Sequence, residues 1–304
     1  MSRILIFLYS LVFLLPTSAS AWNPPGHKVV GSIANQLLNA NAKRQVAQIL
    51  GFELSIAGPW LDCVKSVEKH DDGSFVYKED PRYEPPCTPF KLERARMEDY
   101  AKRNWFDCSY VTGGIDRGCH NTYHFADVPM QRNRYDRNFQ GTNDHDIVSA
   151  INAAIAVLLD RAAPPPFSIV DKREALFMLA HLIGDLHQPL HVAAVYLDKN
   201  GNVVDPDVTH TIDPISETAG GNLIFHQGVN FHFEWDTIPS DIGEAATPKL
   251  LAMARSTQPD RGRVENWSAT WATDTVLAAQ QVRTIKAGQS PFQTETVISE
   301  RPTH

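Results

Sequence analysis

Apolar residues recur at helical spacing through most of the chain. Val29, Val30, Ile33, Ala34, Leu37 and Leu38 form one stripe and predict a helix over 27–38. A second helix follows over 42–50, with Gly51 as its stop. Residues 92–104 read as a polar helix. Residues 144–159 read as an Ala- and Ile-rich one, capped by Asn143 or Asp144. Pro164-Pro165-Pro166 forbids any continuation of that segment. The strongest pattern is 171–186, Ala/Leu-rich, with Asp171 near its cap; 250–255 and 268–286 are further helices. Between these lie polar stretches. Residues 70–90 are charged and Pro-rich, predicting a loop, and 198–230 are rich in Gly, Asp, Pro and Thr. Alternation near Leu223 to Phe225 fits a loop or a short hairpin. There is no internal repeat and no linker. The pattern predicts one mainly α domain over 22–290, compact, with long loops and at most a short hairpin, followed by a flexible tail at 291–304.

Residues 1–21 read as an address. Arg3 precedes an apolar run from Ile4 to Leu15, too short to span a bilayer comfortably, and Ala19-Ser20-Ala21 is a small-residue cleavage site. A cleaved signal peptide predicts a secreted or periplasmic protein that starts at Trp22 and has no stable membrane association. Export also permits disulfides. Cys63, Cys87, Cys108 and Cys119 match no zinc-binding spacing. Local pairing, Cys63 with Cys87 and Cys108 with Cys119, is the expectation. Four cysteines admit three pairings, and sequence does not decide among them.

The composition is globular: 43% of 304 residues are hydrophobic and 21% charged, which excludes wholesale disorder and low-complexity architectures. A formal net charge of −7 argues against a basic-groove nucleic-acid binder of the usual kind. Twelve histidines without a histidine tract point to metal ligands or acid–base chemistry. The densest cluster is His181-Leu-Ile-Gly-Asp185-Leu-His187-Gln-Pro189-Leu-His191. His181 and Asp185 stand four apart on one helical face, where an imidazole and a carboxylate can chelate one ion. Pro189 breaks the helix ahead of His191, which can then face a second ion. One histidine here would ordinarily be a satisfied core residue. Three with an aspartate in eleven apolar-flanked residues favour metal.

His232-Phe-Glu234-Trp235-Asp236 repeats the spacing, although alone a surface helix face explains it equally well. Tyr123-His124-Phe125-Ala126-Asp127 is weaker still by itself. A freshly cleaved α-amino group on Trp22, with a pKa near ~8, could join His27 as a nitrogen ligand. Taken in order with Trp60-Leu61-Asp62 and Gly220-Gly221-Asn222, these elements resemble one known family. It is the zinc-dependent single-strand-specific nucleases and 3′-nucleotidases, the S-one/P-one nuclease family, which share the zinc phospholipase C fold. The motifs run from residue 22 to residue 236, and the ordered set is far more specific than any one of them.

The resemblance implies three zinc ions per chain. The first takes Asp62, His124, His181 and Asp185; the second takes His191, His232 and Asp236. The third takes the Trp22 amine and carbonyl, His27 and the other oxygen of Asp185. It also implies that Phe125 stacks a nucleobase, that Asp127 and Asn222 hydrogen-bond its edge, and that Lys65 contacts phosphate. The expected chemistry is hydrolysis of single-stranded DNA and RNA at the P–O3′ bond, with 3′-nucleotidase activity and no obligate protein partner. A hydroxide bridging the first and third zinc ions would attack phosphorus, oriented by Asp62, because zinc lowers the pKa of bound water to ~7. Single strands would be preferred because a paired base is unavailable to Phe125. Unpairing costs a few kcal/mol, about what stacking returns.

The connection over 193–219 is longer than the fungal members lead one to expect. Its Asp198, Asp205, Asp207, His210 and Asp213 could shape substrate access or bind a further cation; solvated loop is the plainer reading. Two rivals stand. A zinc phospholipase C shares the trimetal core, but its last ligand pattern resembles His-x3-Glu rather than His232-x3-Asp236. A non-enzymatic secreted metal-binding protein would keep the ligands without needing Lys65.

Overall fold

The computed structural model describes residues 22–81, 84–106, 118–213, 218–226, 228–239 and 241–287. The expected signal peptide (1–21), Cys108 and the tail (291–304) lie outside them. Asn23 accepts a hydrogen bond from the Gly26 N–H, and Pro24-Pro25 fills the first turn, where no donor is needed. Helix α1 (Pro24–Leu37) thus starts before its apolar stripe does. Asn39 caps α2 (Ala40–Leu50), which Gly51 ends in the left-handed conformation, φ 74°. The short α3 (Leu54–Ala57) and α4 (Trp60–Val64) follow, and every residue of α4 is buried.

Strands β1 (Val67–Lys69) and β2 (Phe75–Tyr77) pair antiparallel. Helix α5 (Glu84–Cys87) is bonded to α4 through the Cys63–Cys87 disulfide, one of the two expected pairs. Cys119 is also disulfide-bonded. The expectation of a featureless loop over 70–90 is corrected here. The hairpin holds because Tyr77 N–H donates to Glu98 Oε1 at 2.9 Å and Phe75 packs edge-on to Trp105, both on or beside α6 (Arg94–Arg103). Those partners are distant in sequence, so no local pattern signals the hairpin.

Strand β3 (Val128–Pro129) pairs in parallel with β4 (Ala193–Ala194). Helix α7 (Ile147–Leu158) takes Asp146 as its N-cap, not the expected Asn143 or Asp144. Asp146 receives the Ser149 N–H at 2.9 Å and the buried Tyr135 hydroxyl at 2.7 Å, so a tertiary contact selects among neighbouring residues equally able to cap. Helix α8 (Lys172–Leu186), capped by Asp171, runs through the centre and packs on α1, α2, α3, α4, α7 and α12 (Trp267–Ala287). Trp60 of α4 stacks on Phe177 of α8 at 4.7 Å, at the heart of the core.

The connection after β4 is folded. Strands β5 (Tyr196–Leu197) and β6 (Val203–Val204) form a hairpin, and α9 (Pro206–Thr209) follows. Strands β7 (Phe225–His226) and β8 (Val229–Asn230) form another, leading into α10 (Phe231–Asp236); α11 (Pro248–Ser256) precedes α12. The mainly α expectation holds. Strand content exceeds one hairpin, with four two-stranded pairs among the described residues. No helix there is long and apolar enough to cross a membrane.

The start of α8 is held by charge. The wholly buried Glu174 accepts from Arg103 at 2.7 Å, and its other oxygen accepts the Val170 N–H at 3.1 Å. Arg173 donates to the Ile49 and Leu50 carbonyls that end α2, both at 2.7 Å. Removing the Glu174 carboxylate strands part-buried guanidinium charge. Glu174→Ala is expected to lower unfolding free energy by about 3 kcal/mol, read from urea denaturation.

Candidate metal centre

Helix α8 carries His181 and Asp185 one turn apart, both wholly buried. His181 Nδ1–H donates to the Gly58 carbonyl at 2.8 Å, which turns Nε2 inward. There it lies 3.0 Å from Asp185 Oδ2 and 3.0 Å from His124 Nδ1. His27 of α1 stacks its ring on His181 at 3.8 Å, with Nε2 3.4 Å from Asp185 Oδ1. The two oxygens of Asp185 thus face different partners, His27 on one side and His124 with His181 on the other. Asp62 of α4 comes within 3.8 Å of His181 and 3.9 Å of His27, and Lys65 Nζ donates to Asp62 Oδ1 at 2.8 Å.

Pro189 ends the helix as read, and a 3-10 turn over Pro189–His191 redirects the chain. His191 Nδ1–H donates to the His124 carbonyl and His232 Nδ1–H to the Gly220 carbonyl, both at 2.7 Å. Their Nε2 atoms meet at 3.0 Å, and Asp236 Oδ2 lies 3.4 Å from His232 Nε2. His232 and Asp236 both sit on α10, so the His-x3-Asp spacing is helical and turned inward rather than toward solvent. Three ligand sets result: His27, His181 and Asp185; Asp62, His124 and His181; and His191, His232 and Asp236.

The donor chemistry fits divalent cations. With Nδ1 protonated, each Nε2 presents a lone pair, and two lone pairs 3.0 Å apart repel unless a proton or a metal lies between them. Burial pushes the His232 imidazole down to about 3, the charge of His191 adding to it, so an extra proton there is disfavoured at neutral pH. Asp62 Oδ2, Asp185 Oδ1, Asp236 Oδ2 and His124 Nε2 are buried and accept or donate no hydrogen bond, although buried polar atoms are normally satisfied. Nitrogen and carboxylate oxygen are the donors zinc takes, and backbone carbonyls orient the imidazoles as outer partners do in metal sites. Charge is unevenly balanced. Burial raises Asp185, but His181 and His191 outweigh it and hold the carboxyl well below the ordinary range. At Asp62, likewise, Lys65 and His181 overcome burial. At Asp236 burial outweighs the Gln188 hydrogen bond, the charges of Asp185 and Asp62 add to it against the weaker pull of Lys65, and the carboxyl is pushed up to about 9.

Trp22 donates its indole N–H to the Gly184 carbonyl at 2.8 Å, next to Asp185 and beside His27. Phe125 is half-buried, in extended backbone that ends the 3-10 turn over Cys119–His124, and Asp127 is buried after it. Asn222 follows the left-handed Ala219, Gly220 and Gly221; a Cβ on Gly220 would lie 2.5 Å from the Leu190 carbonyl oxygen, so only glycine lets the chain pass. The Asn222 amide donates to Ala219, while its Oδ1 is buried without a hydrogen bond. Sequence reasoning missed Gln188, wholly buried, whose amide donates to Asp236 Oδ1 at 2.8 Å and leaves Oδ2 to the cluster. Its one signal was its place between His187 and Pro189.

Two comparisons bear on this centre. The S1/P1 nuclease family profile matches residues 22–299. Endonuclease 1 of Arabidopsis thaliana is 25% identical over 208 residues, which cover 67% of this chain and 54% of that protein. The chain therefore spans about half the length of that curated relative. With the profile covering nearly the whole chain, the protein belongs to the S1/P1 nuclease family.

The Asp236 shift makes a signed prediction. Its folded pKa, about 9, exceeds the ordinary value of 3.8. The stability it contributes in metal-free protein is whole below that ordinary value and is lost as pH rises through the folded one. In chelator at pH 8, Asp236→Asn is therefore expected to melt above the parent chain, with the gap closing toward pH 5. With added zinc the order is expected to reverse, because the variant lacks a carboxylate that could help hold the ion. Thermal unfolding at both pH values, with and without chelator, measures this.

Proposed function

We propose that this chain is a zinc-dependent nuclease that cleaves single-stranded DNA and RNA at the P–O3′ bond. It leaves 5′-phosphates, and it also removes the phosphate of 3′-nucleotides. Three zinc ions are the expected complement, and removal of residues 1–21 on export frees the Trp22 amine. The observation that carries the reading is the pair of imidazole nitrogens, His191 and His232, at 3.0 Å with lone pairs opposed, together with a buried His181 shared by two further ligand sets. Membership of a nuclease family supplies the substrate class.

When bound, zinc supplies Lewis acidity, bringing the pKa of water to ~7 and offsetting phosphate charge. The Asp62 carboxylate, held ionised by Lys65 and His181, is placed to orient the attacking water through Oδ2, which makes no hydrogen bond. Lys65 reaches the same carboxylate while its side chain stays 23% exposed, so its ammonium can also meet the equatorial phosphate oxygens. Phe125 offers a ring for base stacking, and the Asn222 Oδ1 acceptor and Asp127 carboxylate suit amino groups on a base edge. Stacking on Phe125 needs an unpaired base, which gives the single-strand preference.

Purified protein lacking residues 1–21 is expected to hold three zinc ions. It is expected to hydrolyse single-stranded DNA, RNA and 3′-AMP, to lose this on chelation and regain it with zinc, and to leave phosphatidylcholine intact. Zinc uptake without turnover of any nucleotide substrate would sink the proposal. Placing an additional Met before Trp22 is expected to cost one zinc ion and most activity; full zinc content in that protein would refute ligation by the Trp22 amine.

A further inference from the structure

We infer that Tyr196 is a positioning residue for nucleobase recognition, and that the long connection after His191 exists to place it. The inference rests on the proposed base-edge roles of Asp127 and Asn222. Its own evidence is how that connection is docked. The buried Tyr196 hydroxyl donates to the Asp127 carbonyl at 2.6 Å. The Asp127 N–H donates on its other side to the Gly141 carbonyl at 3.1 Å. Both backbone polar groups of Asp127 are thereby held, one of them by the connection. The adjacent Val195 carbonyl accepts the Thr218 hydroxyl at 2.8 Å. Thr218 leads into the left-handed turn Ala219–Gly221, which sets down Asn222. Two neighbouring residues of the connection therefore hold Asp127 directly and, through Thr218, the turn that precedes Asn222, although these two lie far apart in sequence.

Residues 204–207 of the connection clamp the segment that follows Asp127. Arg132 forms ion pairs with Asp205 and Asp207, and Asp207 also accepts the Gln140 N–H at 2.7 Å. Gln131 donates to the Val204 carbonyl at 2.9 Å. Two of the aspartates that sequence offered as candidates for a further cation, Asp205 and Asp207, are thus engaged in docking. None of these contacts touches the three ligand sets, so the connection can tune base affinity with the phosphate chemistry left intact.

The test compares Tyr196→Phe with the parent chain, both zinc-loaded. Binding of 5′-AMP and of ribose 5-phosphate is measured by calorimetry, and turnover of 3′-AMP and ribose 3-phosphate by phosphate release. Loss of one hydrogen bond predicts about fivefold weaker 5′-AMP binding and a similar rise in KM for 3′-AMP. Ribose 5-phosphate affinity, kcat and zinc content are expected to be unchanged. Thr218→Val, acting on Asn222, carries the same test should Tyr196→Phe fail to fold. Equal losses on both ligands, or no change on either, would overturn the inference. So would a parent chain that binds 5′-AMP no more tightly than ribose 5-phosphate. Absence of turnover by the parent chain, with base-selective loss of 5′-AMP binding in the variant, would refute the nuclease reading and leave this inference standing.

Discussion

The structure depends on a buried concentration of lone pairs. Asp62, Asp185, Asp236, His124, His181, His191 and His232 are all shielded from water, and each is turned toward the other members of its ligand set. Such a set is costly unless positive charge lies among its members, because buried carboxylates and acceptor nitrogens lose hydration without gaining partners. Lys65 supplies some of that charge to Asp62, and the donor set suits zinc for the rest. The acidity that spoke against a polyanion substrate is then consistent with one. On the proposed reading, metal charge would stand where the phosphate must sit, and a surplus of lysine and arginine would be unnecessary.

Holding this set in place is the work of the surrounding fold. Helix α8 is the rigid reference, packed by six helices and stacked through Phe177 on Trp60. The ligands that α8 does not carry arrive on α1, α4, α10 and the turns around His124 and His191. Backbone carbonyls of Gly58, His124 and Gly220 fix three imidazole rings, and Gln188 fixes the Asp236 carboxylate. The parallel β3–β4 pair completes the frame. It runs the His124–Asp127 strip beside the chain leaving His191, with the Ala126 N–H on the His191 carbonyl at 2.8 Å. A residue remote from the chemistry can therefore alter it by moving one of these carbonyls.

Part of the candidate site was legible because residues able to share one ion on a helix leave local marks. His181-x3-Asp185 and His232-x3-Asp236 carry helical spacing, and Pro189 marks where the chain must turn. Gln188 and Tyr196 left no comparable mark. A lone glutamine or tyrosine looks the same whether its polar atom meets water, Asp236 or the Asp127 carbonyl. The same holds for Asp146 against Asp144, since both can cap a helix and only the hydroxyl of Tyr135 distinguishes them. The β1–β2 hairpin was missed for a like reason, its stabilising partners being on α6 and at Trp105.

By itself, then, the sequence determined helix positions, a mainly α domain and two His-x3-Asp pairs able to hold a metal, while the fuller ligand sets were implied only by the family resemblance. These are properties of short range: apolar periodicity over a few turns, caps, breakers and the i, i+4 geometry that joins a histidine to an aspartate. Only the tertiary structure decided which nitrogen of each imidazole faces inward and that the connection after His191 lies against Asp127 through Tyr196. Those outcomes are set by hydrogen bonds between groups tens of residues apart. Such bonds follow from the packing of helices, and no local pattern along the chain encodes them.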